Sequence, residues 1–343
     1  MALKRVRPIF SLLLLAGPDL PSQTFQEQLR RGLLALQRND LISAEANLQG
    51  AALLQPRNAR VWVALSQTFW KHNEPAKAEE AAEKASTFAG NDSAVLQSLV
   101  IYYSESGQRF KAADAQSRYS AANPSNSAAR DRAVALYFEA VRPLLQAERF
   151  GDVVTSLHAA PASIANSAQI QLVMGVAYYG LRRFEEAATA FLSVTAVDPS
   201  IKQPYLFLGK MLDQIPSRLN EVTERFIAYE RENPSDFEGY LLHAKVLDTK
   251  AVEPETARKL LEKVISIAPG SAEAHFELGS LLDRTQHFSD AVVEFQTAAR
   301  LDPSDAATHY RLSRLYERLN KPEAALAERE QHRKMVTEQN TAR

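Results

Sequence analysis

Cysteine is absent from this sequence of 343 residues. Its absence excludes disulfides, thiolate metal sites, cysteine nucleophiles and lipid attachment through cysteine. Glycine is scarce, with 12 residues, which is few for a protein of sheets and turns and ordinary for an all-helical one. The formal net charge is −1, so no overall electrostatic field would draw the protein toward nucleic acid or anionic lipid. Hydrophobic residues make up 45% of the chain, enough for a substantial core.

Motifs that carry catalysis are also missing. The sequence has no Walker loop, no G-x-S-x-G and no dinucleotide-binding glycine fingerprint. Carboxylate pairs such as Glu185 and Glu186 are expected on exposed helix turns, where nothing would raise a pKa for acid–base work. The sequence has neither the basic stripe nor the aromatic residues interleaved on a sheet that would indicate nucleic-acid binding. We therefore predict a protein that is not an enzyme, needs no cofactor and binds no nucleic acid.

The seven histidines are scattered and show no metal-ligand spacing such as H-E-x-x-H. Two of them, His275 and His309, fall at equivalent places in adjacent repeats (described below) and could lie a helix-packing distance apart. A metal ion would need further ligands, and none are evident in the sequence. We interpret both histidines as surface or packing residues and predict no metal site.

The N-terminus differs from the rest of the chain. Lys4, Arg5 and Arg7 precede the apolar run 9–16, which Gly17 and Pro18 end. Eight apolar residues cannot cross a bilayer, which needs about 20, but they match the hydrophobic region of a secretory signal. No Ala-x-Ala cleavage site follows. We expect residues 1–23 to lie outside the fold and the protein to be exported to a periplasm or extracellular space; the alternative is a cytoplasmic chain with an apolar start.

A repeat of 34 or 35 residues runs through the remaining sequence. Its first marker is a small apolar residue: Ala44, Ala78, Ala112, Val153, Ala187, Val222, Ala257, Ala291 and Ala325. Every spacing is 34 or 35 except one of 41, between the third marker and the fourth. Prolines keep the same register at Pro199, Pro234, Pro269 and Pro303. Periods of this size indicate stacked units of supersecondary structure.

The motifs Trp62-x-x-Leu65, Gly175-x-x-Tyr178 and Phe184-x-x-Ala187, with Phe191 and Pro199, resemble the tetratricopeptide repeat. The resemblance covers about residues 25 to 339 and implies an all-α, right-handed α-solenoid of antiparallel helix pairs. It divides the chain into a signal-like segment (1–23), repeats one to three (24–126), an atypical lengthened fourth repeat (127–167), repeats five to nine (168–339) and a polar tail (340–343).

Packing gives the repeat markers a physical meaning. Two helices approach closely only where side chains are small, so we expect Gly175 to face Ala187. Asp198 and Pro199 should stop the second helix of the fifth repeat. In the fourth repeat the seven extra residues 127–133 should lengthen the first helix, and Pro143 should bend or divide it. The sixth and seventh repeats each gain one residue in the turn between their helices.

The resemblance implies that the first helix of each repeat lines a concave face. Residues at these inward positions are mostly apolar in the first half of the chain and charged in the second. We therefore predict a groove that holds an apolar or helical partner segment at one end and polar groups at the other. The candidate partner-binding residues are Trp70, Phe138, Tyr179, Lys210, Lys245, Phe276, Tyr310 and Arg314.

Each part of this hypothesis has an alternative. Trp70 and Tyr179 could instead pack between repeats. The charged residues could form intrahelical pairs three residues apart, namely Lys210 with Asp213, Lys245 with Asp248, and Arg314 with Glu317, worth about 0.2–0.5 kcal/mol each.

Overall, the sequence predicts a scaffold or adaptor for a protein or peptide partner. The alternatives are a self-associating structural solenoid and a non-catalytic regulatory subunit of an envelope enzyme or secretion complex. Membrane association is expected only through an uncleaved signal. Some tetratricopeptide domains clamp the acidic C-terminus of a chaperone, but the corresponding positions include Leu29, Leu33, Ala64 and Ala94, none able to hold a carboxylate. This argues against a chaperone-tail partner.

Overall fold

The computed structural model describes residues 20–341, with side chains over residues 24–338. Every regular element in that part of the chain is helical, and the chain divides between Ile170 and Gln171 into two compact units. Unit 1 contains α1 (Leu20–Gln37), α2 (Leu41–Leu54), α3 (Ala59–Lys71), α4 (Pro75–Phe88), α5 (Ser93–Glu105), α6 (Arg109–Ala122), α7 (Ser127–Gln146), α8 (Phe150–His158) and α9 (Ala162–Ala165).

Unit 2 begins within α10, whose first three residues precede the division. Its helices are α10 (Ala168–Gly180), α11 (Phe184–Val197), α12 (Gln203–Lys210), α13 (Leu219–Glu232), α14 (Phe237–Thr249), α15 (Pro254–Ile267), α16 (Ala272–Arg284), α17 (Phe288–Leu301), α18 (Ala306–Arg318) and α19 (Pro322–Thr341). Apart from the short α9, the helices of residues 20–341 form nine consecutive pairs, which confirms the predicted all-α class and its helix hairpins. We call the two members of each pair its first and second helix.

A three-residue turn joins the two helices in seven of these pairs and reverses the chain in the same way each time. The middle residue has a positive φ: Asn39, Asn73, Gly107, Glu148, Arg182, Gln286 and Asn320. The next residue donates its N–H to a carbonyl five residues back, as Asp40 does to Ala35 at 2.9 Å and Lys321 to Tyr316 at 2.9 Å. This left-handed cap satisfies carbonyls that a helix end leaves unpaired, and it places the second helix antiparallel to the first.

Close approach within a pair depends on the small residues of the first helix. A Cβ added at Gly175 would lie 2.5 Å from Cε1 of Phe191, and one at Gly279 would lie 3.0 Å from Phe295. The expectation that Gly175 faces Ala187 is therefore wrong in its partner, because the nearest atoms belong to the Phe191 ring. Ala187 and Phe191 are one helical turn apart and both fully buried. The glycine makes room for an aromatic side chain.

The fourth repeat is irregular in both of its helices. The extra residues lengthen α7 to 20 residues, as predicted, and the helix continues through Pro143 without division. Pro143 lies in the last turn, so its missing N–H removes a single bond near the helix end. The second helix, α8, has nine residues, whereas α2, α4 and α6 each have 14. The sequence pattern did not predict this short helix.

The sixth and seventh repeats depart from the three-residue turn, as their extra residue predicted. α12 ends after eight residues, and two 3-10 turns over residues 212–214 and 216–218 lead to α13. Residues 250–253 join α14 to α15. At the end of the fifth repeat, α11 stops at Val197, directly before Asp198 and Pro199, as expected.

The predicted terminal segments reach beyond the described residues. α1 starts at Leu20, four residues before the expected start of the repeats. The basic residues and the apolar run 9–16 lie outside the described residues, as do residues 342 and 343. α19 extends to Thr341, so the backbone of the predicted polar tail is helical at its beginning. Among the described residues, the helices are too short or too polar for any to span a bilayer.

Candidate partner-binding surfaces

The first helices of unit 1 form a groove around Trp70. Its ring packs edge-on against Tyr102 of the next first helix, with the ring centroids 5.7 Å apart and the planes at 87°. We call this the first-helix groove; it has a volume of about 560 Å³ and is lined by Gln67, Trp70 and Lys71 of α3 and by Ser98, Ile101, Tyr102 and Glu105 of α5. Trp70 therefore contacts a neighbouring repeat and also borders an open groove. Its position is compatible with both the packing and the partner-binding interpretation.

Exposed apolar side chains continue this surface. Ile101 is 57% exposed, and Leu33, at the same position of α1, is 46% exposed. Of these two residues, Ile101 lies among the side chains that line the groove and Leu33 does not. Phe138 on α7 is half-buried and does not line the groove.

Two of the candidate aromatic residues pack inside unit 2. The Tyr179 ring lies 5.8 Å from Phe184 and 5.2 Å from Phe207, centroid to centroid. The Phe276 ring meets Phe295 of the second helix at 5.4 Å. Such edge-to-face contacts stabilise the repeats themselves. The structure therefore favours the packing interpretation for Tyr179, and a partner-binding role for either residue stays a prediction.

Among the charged candidates of unit 2, Lys245 is paired with the following repeat. Nζ of Lys245 on α14 lies 2.7 Å from Glu273 Oε1 and 3.3 Å from Glu277 Oε1, both on α16. The expected partner of Lys245, Asp248, pairs with Arg284 of α16. In the next repeat Asp283 pairs in the same way with Arg318 of α18. Pairing between repeats thus replaces the intrahelical pair at Lys245.

Lys210 and Arg314 behave differently from Lys245. α12 ends at Lys210, and Asp213 lies in the following 3-10 turn; no ion pair joins them in the described structure. Lys210 is exposed. Arg314 forms the predicted intrahelical pair with Glu317 at 3.2 Å, and Arg329 of the second helix also binds Glu317. Only one of the three intrahelical pairs weighed from the sequence is therefore present in the described residues.

Burial and the neighbouring charges shift the pKa values of Lys245 and Glu277. The Lys245 side chain is 18% exposed and that of Glu277 is 21% exposed. Burial alone would lower the pKa of Lys245, but the carboxylates of Glu277 and Glu273 outweigh it and raise the pKa. Burial raises the pKa of Glu277 in spite of the neighbouring ammonium group. Lys245 is therefore already paired with two carboxylates, which makes it a poor candidate for binding a partner.

A polar groove of about 500 Å³ lies beside these inter-repeat pairs. Its lining comprises Asp248, Ser280, Asp283, Arg284, Gln286, Phe288, Arg311 and Arg318. The four carboxylate and guanidinium groups of the two inter-repeat pairs are among them. Tyr310 is 50% exposed on α18, and its ring lies 5.5 Å from the His332 ring. Tyr310 and Arg314 remain accessible, and their role in partner binding stays a prediction.

The equivalent histidines His275 and His309 bind within their own repeats. His275 Nδ1 lies 2.7 Å from Glu294, and His309 Nδ1 lies 2.6 Å from Glu328, in each case on the second helix of the same pair. Each histidine therefore links a first helix to its second helix, in agreement with the packing interpretation. Within the described residues, no three His, Asp or Glu side chains are grouped as metal ligands.

The basic partners of the inter-repeat pairs, Arg284 and Arg318, are not among the residues that the sequence pattern singles out. In the sequence Arg284 directly follows Asp283, and Arg318 directly follows Glu317. The sequence therefore shows a basic residue beside each of these acidic residues. No sequence signal indicated that they would reach back to the preceding repeat. That outcome depends on how the first helices stack.

Residues 29–94 and 276–331 match the sequence model of the tetratricopeptide repeat family. These two stretches are tetratricopeptide repeats. One stretch lies in each unit, and further helix pairs occupy the chain between them. The family match supports a general role in protein interaction and is consistent with a non-catalytic protein.

Several solved structures are similar to part of the chain. A thermophilic TPR protein from Thermus thermophilus, TTC0263, is 19% identical with a TM-score of 0.44, and the match covers 50% of this chain and 92% of that one. A MamA structure is 18% identical with a TM-score of 0.40, covering 49% and 97%. A MamA structure from Desulfovibrio magneticus, beginning at its residue 41, is 19% identical with a TM-score of 0.35, covering 60% and 96%. No curated protein sequence matches the chain.

Proposed function

We propose that this tetratricopeptide protein is a non-catalytic scaffold that binds an apolar segment of a protein partner in the first-helix groove. The observation that carries the proposal is the exposure of Ile101 beside the half-buried Trp70 in an open groove. Aromatic anchors in partly enclosed pockets contribute much of the binding energy at protein interfaces. Burial of exposed aliphatic side chains adds about 25 cal/mol per Å² of apolar surface removed from water.

The test uses substitutions that leave the fold intact. Ile101→Glu places a charge on a side chain that is 57% exposed and should abolish partner capture without changing the melting temperature. Ile42→Glu is the matched control, because Ile42 is 76% exposed on the second helix α2. Trp70→Ala should weaken capture as well. Crosslinking in the native host, followed by mass spectrometry, measures the capture for each variant.

Two outcomes would contradict this proposal. Equal capture by the wild-type protein and by the Ile101→Glu and Trp70→Ala variants would exclude the first-helix groove as the binding site. Concentration-dependent oligomers in light scattering, with no foreign partner crosslinked, would instead support a self-associating solenoid.

We also propose that the protein works outside the cytoplasm, as part of an envelope or secretion assembly. The support is the sequence of basic residues and a short apolar run before Gly17, which is typical of a secretory signal. N-terminal sequencing of protein recovered from the native host tests it. A mature chain that starts near Gln23 in an extracytoplasmic fraction is expected; an intact N-terminus in the cytoplasmic fraction would refute the proposal.

A further inference from the structure

A second cavity in unit 1 borders the irregular fourth repeat. It has a volume of about 650 Å³ and is bounded by residues of α4 to α8, with Ser156 of the short α8 and the following Ala159 on its wall. We call it the second-helix cavity. α8 has nine residues, whereas α6 before it has 14, so the cavity lies where the second helix is short.

Two buried tyrosines line the second-helix cavity without hydrogen-bond partners. Tyr103 is 3% exposed and Tyr137 is 4% exposed. Neither hydroxyl forms a hydrogen bond with any residue for which the structure describes a side chain. The two residues are buried as a whole, but neither hydroxyl oxygen is among the fully buried side-chain atoms that lack a partner, so both hydroxyls open onto the cavity. A ligand in the cavity could therefore replace water as their hydrogen-bond partner.

The charge around the cavity is negative. Nζ of Lys111 lies 2.9 Å from a carboxylate oxygen of Glu79 and 2.9 Å from one of Glu83, so two acidic groups already share this one cation. Asp114 is exposed at the cavity and has no ion-pair partner among the described side chains. Asp114 and Tyr137 line the same cavity, and the charge of Asp114 adds to the effect of burial in raising the pKa of Tyr137. An uncompensated carboxylate next to aromatic rings is suited to a cation.

We propose that the second-helix cavity binds a basic side chain, preferably arginine, of a protein partner. Asp114 would be its counter-ion, and the hydroxyl oxygen of Tyr137 would accept a hydrogen bond from it. Arginine fits best because its planar guanidinium can stack on an aromatic ring while it donates to a carboxylate and a hydroxyl. This inference rests on the proposed binding of a protein partner but concerns a different surface from the first-helix groove.

The experiment measures binding of short peptides to the full chain by saturation-transfer NMR. The probe is acetyl-Gly-Gly-Arg-Gly-Gly-amide, and the peptide with citrulline in place of arginine is the neutral control of nearly the same shape. We expect the arginine peptide to bind with a dissociation constant about tenfold lower than that of the citrulline peptide, because only arginine pairs with a carboxylate. Equal binding of the two, or no binding of the arginine peptide at millimolar concentration, would overturn the proposal.

Variants locate the binding site. Asp114→Asn should remove the preference for arginine, and Tyr137→Phe should weaken arginine binding severalfold. Glu105→Gln is the matched control, because Glu105 is an exposed carboxylate on the first-helix groove. Since Asp114 is exposed, its substitution should leave the circular dichroism melting curve unchanged. An arginine preference that survives Asp114→Asn but is lost in Glu105→Gln would place the site in the other groove and refute the cavity.

The two binding proposals can fail separately. If Ile101→Glu leaves partner capture intact while Asp114→Asn abolishes the arginine preference, the first-helix groove is wrong and the cavity stands. If Ile101→Glu abolishes capture while the arginine and citrulline peptides bind equally, the cavity proposal is wrong and the scaffold function stands.

Discussion

The Nζ atom of Lys245 on α14 lies 2.7 Å from Oε1 of Glu273 on α16. A side chain that the sequence offered as a contact for a partner is thus held by the next repeat. Glu277, at 3.3 Å, adds a second carboxylate to the same ammonium group. The pair joins two successive first helices, so Lys245 contributes to the stacking of repeats.

Loss of this lysine should destabilise unit 2. Lys245→Gln leaves Glu273 and the largely buried Glu277 without their cation, and an uncompensated buried charged group costs about 1–3 kcal/mol. Lys210→Gln is the control one repeat earlier, where the lysine is exposed; it should change the unfolding free energy by less than about 0.5 kcal/mol. Urea unfolding followed by circular dichroism compares them. Equal stability of both variants would show that the inter-repeat pair has little energetic effect.

Gly175 should not tolerate a methyl group. An added Cβ would meet the Phe191 ring at 2.5 Å, and the fully buried ring has no free space to move into, so Gly175→Ala should cost about 1–3 kcal/mol of unfolding free energy. Gly151→Ala on α8 meets no atom within 4 Å and should stabilise the helix by about 0.5–1 kcal/mol. Thermal melting of the two variants should therefore shift in opposite directions.

Gln286 occupies the left-handed position of its turn, with φ of 66°. This conformation costs about 1–2 kcal/mol in residues with a Cβ, and glycine avoids that cost while losing about 0.5–1 kcal/mol more entropy on folding. Gln286→Gly should therefore stabilise the protein by up to about 1 kcal/mol. Asn320→Gly, at the same position of the next repeat with φ of 53°, should have a smaller effect, because asparagine tolerates this region. Chemical denaturation measures both changes.

Tyr103 and Tyr137 should ionise at a higher pH than an exposed tyrosine. Burial raises the pKa of Tyr103 and of Tyr137 to about 12 each, the charge of Asp114 adding to the effect at Tyr137. Below about pH 10 both hydroxyls keep their protons in the folded and in the unfolded protein. Above about pH 10 the tyrosines ionise first in the unfolded chain. The free energy of unfolding therefore falls as the pH rises from about 10 toward 12, by up to about 1.4 kcal/mol per pH unit for each tyrosine. Ultraviolet absorbance titration of wild type, Tyr103→Phe and Tyr137→Phe assigns the late steps.

A result at ordinary pH would contradict this account of the cavity. If the two variants lost absorbance steps near pH 10, burial would not raise the pKa of either tyrosine. Asp114→Asn should lower the pKa of Tyr137, because it removes a nearby negative charge.

The periodic part of the fold was predictable because each repeat depends on local rules. Small residues such as Gly279, apolar residues at helical spacing and helix-stopping prolines act within a few residues of chain, so their positions specify helices and turns directly. The seven-residue insertion likewise predicted a longer α7, which the structure confirms. The glycine partner was mistaken because spacing alone does not say which residue of the second helix, Ala187 or Phe191, fills the space.

The candidate site was less predictable because its side chains choose partners across repeats. A residue three positions away on an exposed helix is always near, whereas a residue 28 or 36 positions away is near only once the repeats stack. Lys245 to Glu273 and Arg284 to Asp248 are pairs of the second kind. The unpaired hydroxyls of Tyr103 and Tyr137 carry no sequence signal at all.

By itself, the sequence determined that this protein is a succession of helix hairpins, because hydrophobic period, small residues and breakers act over short distances. Tertiary structure alone decided which charged and aromatic groups stay available. Stacking brings distant positions into contact, commits Lys245 to α16 and leaves Ile101 exposed. Between the third and fourth repeats it leaves the hydroxyls of Tyr103 and Tyr137 open to a cavity bordered by the short α8.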